Sequence, residues 1–122
     1  MPGIKGLSDN IKVISIVDRF LEHSRIYIFH NNGKPKYFIA SADLMGRNLN
    51  RRFEVCFPVY DSKIKKVLKD IIRIQLKDNI KARIMDGKQT NNYKKSASVK
   101  KIRSQFETYE YLKNKIIPRE NN

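Results

Sequence analysis

Cysteine is nearly absent from this sequence. Cys56 is the sole cysteine among 122 residues, so no intrachain disulfide can form, and a reducing, cytoplasmic setting is expected. It lies in an apolar run and reads as a small buried hydrophobe. Five glycines and four prolines are too few for collagenous or low-complexity sequence. No apolar run reaches the length of a signal-peptide core or a membrane span. Acidic residues are scarce as well, with 12 Asp+Glu against 26 Lys+Arg and a net charge of +14. Hydrophobic residues at 40% and charged residues at 31% exclude a wholly disordered chain and leave one folded domain of ordinary size.

The positive excess fits a polyanionic partner: a nucleic acid, a phosphate polymer, a nucleotide or an anionic membrane. Charge alone does not choose among these. Up to Tyr60 there are nine basic and five acidic residues, and beyond it seventeen and seven, so the second half supplies most of the field.

Residues 1–10 are rich in turn formers and lead into a short strand at 11–14. Ser15 or Asp18 is placed to cap a brief helical turn through Phe20 and Leu21. Two runs of β-branched and aromatic residues, 25–30 and 36–42, flank Asn31, Asn32, Gly33, Lys34 and Pro35, a hairpin signal. A further strand is expected at 53–59, with Pro58 near its end, where a lost ladder donor is tolerated. These four strands are expected to share one sheet. After Asp61, a candidate N-cap, the hydrophobic period changes from two to about 3.6. Ile64, Val67, Leu68, Ile71, Ile72 and Leu76 then form one stripe, which predicts a helix over 63–77 packed on the sheet. Residues 81–85 read as a short strand, Asp86 and Gly87 as a turn, and 88–95 as a polar segment. A last helix is expected to open at Ser98 and to carry Val99, Ile102, Phe106, Tyr109, Leu112 and Ile116.

Chemistry-bearing side chains concentrate in the less charged half. If extended pairing starts at His23, then His23, Arg25 and Tyr27 share one sheet face, because strand side chains alternate. Ser41 and Asp43 on the neighbouring strand reach the same region, and Arg47, Arg51 and Arg52 follow on a loop. Imidazole moves protons near neutral pH, and guanidinium binds phosphate oxygens through a planar fork, so this set points to a phosphate site. Structural alternatives stand beside these roles. Asp43 could cap a turn through Leu44 and Met45, and Arg52 could neutralise Glu54 or Asp43.

The spacing His23-x-Arg25, followed after a strand by Ser41-Ala-Asp43, resembles a drifted form of the half-motifs of the phospholipase D fold. Arg25, His30 and Asp43 replace the Lys, Asp and Asn of that pattern, which argues against a generic phosphodiesterase. More closely, PGIKGLSDNIKV from Pro2, SIVDRFLEHSRIY from Ser15, SADLMGRN from Ser41 and RRFEV from Arg51 resemble the C-terminal part of bacterial polyphosphate kinase, the ATP-polyphosphate phosphotransferase. The likeness runs from Pro2 to the neighbourhood of Ala82.

That resemblance implies an α/β fold (α+β mixed), a phospholipase-D-like half with a mixed sheet and flanking amphipathic helices. It implies a C-terminal catalytic subdomain over 1–85, truncated on its N-terminal side, and a polar linker with a basic helix over 86–122. The implied activity is reversible transfer of the terminal phosphate of ATP to a growing polyphosphate chain, with ATP and magnesium required. His23 matches the family histidine at the nucleotide, a candidate catalytic and ATP-binding residue. Arg25, Ser41, Arg47, Arg51 and Arg52 become candidate phosphate- and polyphosphate-binding residues, and Asp43 an orienting group. The family's phosphorylated histidine and its magnesium-contacting arginines fall upstream of Met1, so no metal ligand is assigned here. The expectation is a fragment inactive by itself, whose partners are ATP, polyphosphate and the upstream half of the enzyme; an uncovered sheet face or edge would also favour a homo-oligomer. Two other readings remain open. One is a basic nucleic-acid-binding module, for which no zinc-finger spacing, P-loop or aromatic RNA-binding signature speaks. The other is a phospholipase-D-like nuclease half-site that dimerises to assemble two histidines.

Overall fold

A computed structural model describes residues 1–95 and 100–116. The chain divides into two units, residues 22–70 and residues 1–21 with 71–122.

In the first unit, β2 (Ile26–Phe29) and β3 (Lys36–Ala40) form an antiparallel hairpin in which Tyr27 faces Phe38 and Ile28 faces Tyr37. The turn follows from its residues: Asn31, Asn32 and Gly33 all take positive φ, which asparagine and glycine tolerate best. Lys34 N closes it by donating to the Asn31 carbonyl at 3.1 Å, and Asn31 Nδ2 donates to the Lys34 carbonyl at 3.0 Å. β3 then pairs antiparallel with β4 (Cys56–Val59). Pro58 is accommodated because β4 is an edge strand of this three-stranded sheet. Between β3 and β4 lies the short helix α1 (Gly46–Arg51).

The amphipathic helix α2 (Ser62–Lys77) starts where Asp61 places its carboxylate to accept Ile64 N at 2.8 Å, the expected cap. Leu68 of this helix packs with Tyr37 and Val59, and Ile26 and Ile39 close around them. That cluster is the core of the first unit. The stripe is buried only in its middle: Ile64 and Leu76, near its two ends, are exposed.

In the second unit, β1 (Val13–Ile16) pairs antiparallel with β5 (Ala82–Met85), with Ile16 opposite the fully buried Ala82. Asp78 organises the connection after α2. Its Oδ1 accepts the N–H groups of Ile80, Lys81 and Ala82, and its Oδ2 accepts Ser104 N at the start of α3 (Ser104–Ile116). Asn79 clips the same region by exchanging bonds with Ile102 and donating to the Lys100 carbonyl. Among the described residues no helix is long and apolar enough to cross a membrane.

The expected α/β class holds, with five strands and three helices among the described residues. The single mixed sheet does not: β1 joins β5, not the β2–β3–β4 sheet, and among the described residues the strand pairings are antiparallel. No helical turn forms at Phe20, since the carboxylate of Asp18 is taken by Arg103 at 2.6 and 2.8 Å and Phe20 exchanges bonds with Gln105. The last helix opens at Ser104, where Asp78 caps it, and Ile102 precedes it; Ser98 and Val99 lie outside the described residues. Cys56 is exposed, not buried, because its side of the sheet is the one α2 leaves bare.

Candidate functional site

The β2–β3 ladder extends one residue beyond the regular strands, where Ala40 N donates to the Arg25 carbonyl at 3.0 Å. This anchors Arg25 at the sheet end. Its Nε donates to Asp43 Oδ1 at 2.7 Å, and its Nη1 donates to the backbone carbonyl of His23 at 3.2 Å. One guanidinium therefore joins the segment before β2 to the segment after β3. Asp43 is tied in turn through its backbone carbonyl, which accepts Met45 N at 2.7 Å and Asn48 Nδ2 at 3.4 Å. The Tyr27 hydroxyl reaches the Ala42 carbonyl at 3.5 Å.

The Arg25 side chain is 21% exposed and that of Asp43 is 45% exposed, so the carboxylate is the more open member of the pair. The hydrogen bond from Arg25 holds the Asp43 carboxyl below the usual carboxylate range, against a smaller desolvation effect, with further attraction from Arg25, His23 and Arg47. Asp43 in the same way pushes the Arg25 guanidinium up.

His23 stands before the ladder and not on it. Pairing stops at Arg25, so His23 and Arg25 do not share a strand face; they meet through the His23 carbonyl, and the imidazole is exposed. His30 likewise follows β2 outside the ladder and is exposed. The Asp43 carboxylate accepts from Arg25 Nε and makes no hydrogen bond to the His23 imidazole. Asp43 does not cap α1, whose N-cap is Met45 with no side-chain cap bond, because its carboxylate is already held.

Arg47 and Arg51 sit on α1, a helix where a loop was expected, and at a spacing of four they lie on one helix face. Both are exposed. Arg52 follows at the C-cap with Nε 3.8 Å from Glu54 Oε1, the structural alternative read from the sequence. Ser41 donates its hydroxyl to the Glu54 carboxylate and accepts Val55 N at 3.0 Å, so its oxygen is engaged with the segment before β4. Asn48 is the residue that sequence reasoning passed over. It is 3% exposed, and its Oδ1 has no hydrogen-bond partner. Nothing in the sequence marks it, since asparagine is mostly a surface residue. Asp78 was also missed, although an aspartate directly after a helix and before another polar residue is a signal of turn chemistry.

Among the described residues no three His, Cys, Asp or Glu side chains gather to hold a metal ion.

A hairpin sheet backed by an amphipathic helix, with a histidine, an arginine–carboxylate pair and an arginine-bearing helix at one sheet end, makes a mixed α/β domain and fits the phospholipase-D-like class that the sequence resemblance implies. Residues 1–105 match the family model described as polyphosphate kinase C-terminal domain 2, and the chain belongs to that family. It is 52% identical over 114 residues to a polyphosphate kinase of Vibrio vulnificus (strain YJ016), covering 93% of this chain and 16% of that relative. Against the polyphosphate kinase of Escherichia coli (strain K12) the identity is 45% over 113 residues, with the same two coverages. The crystal structure of polyphosphate kinase from Porphyromonas gingivalis superposes with a TM-score of 0.83 at 49% identity, over 88% of this chain and 17% of that one. The chain thus spans about 16% of the length of the curated relatives it matches.

Proposed function

We propose that this chain acts as the C-terminal domain 2 portion of a polyphosphate kinase, in which phosphate passes reversibly between the terminal position of ATP and the end of a polyphosphate chain. The observation that carries this reading is the Arg25–Asp43 pair at 2.7 Å, with His23 held to the same guanidinium.

Phosphoryl transfer is catalysed mainly by positioning and by stabilising charge spread over the phosphoryl oxygens. A guanidinium has five N–H donors, and the bonds to Asp43 and His23 leave others for a phosphate oxygen. Because Asp43 fixes its direction, Arg25 needs no reorganisation when charge develops. In this reading the exposed imidazole of His23 binds the nucleotide phosphates and holds or passes a proton. Arg47, Arg51 and Arg52 supply a basic wall for the polymer. Ser41 braces the sheet end through Glu54 and Val55. Magnesium, when bound, would supply neutralisation of phosphate charge, and no residue of this chain is assigned to it.

The family histidine that accepts the phosphoryl group has no counterpart in the resemblance, so the 122 residues alone should have little or no transfer activity. The purified chain, incubated with γ-labelled ATP, magnesium and polyphosphate, is expected to bind polyphosphate but neither label itself nor extend the polymer. Robust self-labelling or polymer growth overturns the inactivity, and failure to bind polyphosphate at low salt overturns the site.

A further inference from the structure

The second unit holds an arginine–tyrosine stack that has no part in the candidate site. Arg83 of β5 pairs with Ser15 of β1 on one side and, through an isolated antiparallel bridge, with Tyr93 on the other. Around that bridge Ile84 N donates to the Asn92 carbonyl and Lys94 N to the Ala82 carbonyl, both at 2.8 Å. Directly opposed residues point to the same face of a sheet, so Arg83 and Tyr93 meet. The guanidinium carbon stands 4.0 Å from the centre of the ring, Nη1 donates to the Asn91 carbonyl at 2.9 Å, and Nη2 donates to the Tyr93 hydroxyl at 2.8 Å. The connecting loop is tied down as well: the Asp86 carboxylate accepts Lys88 N at 3.2 Å, Thr90 N at 2.9 Å and Thr90 Oγ1 at 2.6 Å. Tyr93 is nevertheless 53% exposed. Arg83 covers one face of its ring, which leaves the opposite face to solvent.

We propose that Tyr93, stacked on Arg83, is a binding site for a base of a single-stranded nucleic acid: the base lies flat on the open face of the ring while its flanking phosphates meet the surrounding cations. Bases stack on exposed aromatic rings whatever their sequence, and a guanidinium on the far side extends the stack. Both members are fixed before a strand arrives, so little side-chain freedom is lost on binding. The charge matches. From residue 81 to residue 95 there are five Lys and Arg against Asp86 alone, and the Asp86 carboxylate is taken up by its own loop. Lys94 turns its ammonium to the carbonyls of Leu76 and Asp78, which leaves Lys81, Arg83, Lys88 and Lys95 as positive charge for a phosphate backbone. A polyphosphate chain meets that charge but has no ring to lay on Tyr93. A free nucleotide has the ring, but its phosphates sit at one end and do not follow cations spread along a loop. The proposal does not rest on the phosphoryl-transfer reading, and it uses none of His23, Arg25, Ser41, Asp43, Arg47, Arg51 or Arg52.

The purified chain is titrated with a fluorescently labelled DNA strand of about ten thymidylates, with an abasic strand of the same length, and with inorganic polyphosphate. The thymidylate strand is expected to bind about tenfold or more tightly than the abasic one. Tyr93→Ala should remove that advantage and leave the affinities for the abasic strand and for polyphosphate unchanged, whereas Tyr93→Phe should keep it. Equal binding of the two strands by the wild-type chain overturns the proposal, as does a folded Tyr93→Ala chain that retains the advantage. Thymidine monophosphate that competes at the affinity of the whole strand also overturns it, by assigning the ring to a free nucleotide. If circular dichroism shows that Tyr93→Ala does not fold, a strand carrying 5-iodouracil is photocrosslinked to the wild-type chain and the adduct mapped by mass spectrometry. A crosslink at Tyr93 supports the proposal, and crosslinks confined to other residues overturn it. The comparison of the two strands does not involve phosphoryl transfer, so failure here is separate from failure of the proposed site.

Discussion

Arg25 Nε donates to Asp43 Oδ1 at 2.7 Å across 18 positions of sequence, and that bond closes the end of the sheet. Asp43 is held below the ordinary carboxylate range by this bond, so the charged pair is complete above the unperturbed value of about 4 and is lost only as pH falls through the lower folded value. In ¹⁵N-edited NMR the Arg25 Nε–H should be protected from exchange at neutral pH and lose protection below about pH 4. Asp43→Asn should weaken that protection at every pH. A signal indifferent to both shows that the bond does not form in solution.

Asp78 makes the strongest stability prediction. It is fully buried, and its carboxylate accepts four backbone N–H groups. Burial pushes its pKa up, but the bonds from Ser104, Lys81 and Ala82 outweigh that effect and the net shift is downward. Asp78→Ala leaves these donors unsatisfied and should cost about 3 kcal/mol or more in urea unfolding. The sign of the linkage follows: the contribution is present above the unfolded pKa of about 4 and is lost as pH falls through the folded value. The wild-type chain should therefore lose stability more steeply than Asp78→Asn between about pH 4 and 2.

His23 should separate stability from chemistry. Its side chain is exposed, so His23→Ala should move the melting temperature by no more than about 1 °C. In a full-length family enzyme carrying this segment, the same change should lower kcat by roughly 10²- to 10⁴-fold. Unchanged kcat removes His23 from the site.

The basic wall is tested by salt. Polyphosphate affinity of the isolated chain should fall about tenfold or more between roughly 50 and 300 mM salt. Arg47→Ala combined with Arg51→Ala should weaken binding and flatten that slope. A salt-independent affinity, or a double variant that behaves as wild type, ends the assignment.

Features coded by neighbouring residues were readable in advance. Asn31, Asn32 and Gly33 announced the hairpin because positive φ is a property of those residues themselves. The stripe from Ile64 to Leu76 announced α2, and Asp61 its start. What depended on distant partners was not readable. Asp18 is a sound helix cap by type, yet Arg103 claims its carboxylate. α1 contains Gly46, Asn48 and Asn50, poor helix formers, and is pinned by the burial of Asn48 and its bond to the Asp43 carbonyl. The site residues His23, Arg25 and Asp43 were named from their spacing and their likeness to a family, but the geometry inferred for them assumed a ladder reaching His23, and the ladder stops at Arg25.

The amino-acid order by itself determined the class of fold, the hairpin, the main helix, the family and the residue types of the candidate site, because each is written in local propensity, periodicity or contiguous motif. Tertiary structure alone decided that β1 pairs with β5, that Arg25 and not His23 receives Asp43, and that Cys56 lies exposed. The physical reason is the same in each case. Strand partners, ion pairs and burial are set by competition among groups far apart in sequence, and that competition is resolved only when the chain has folded.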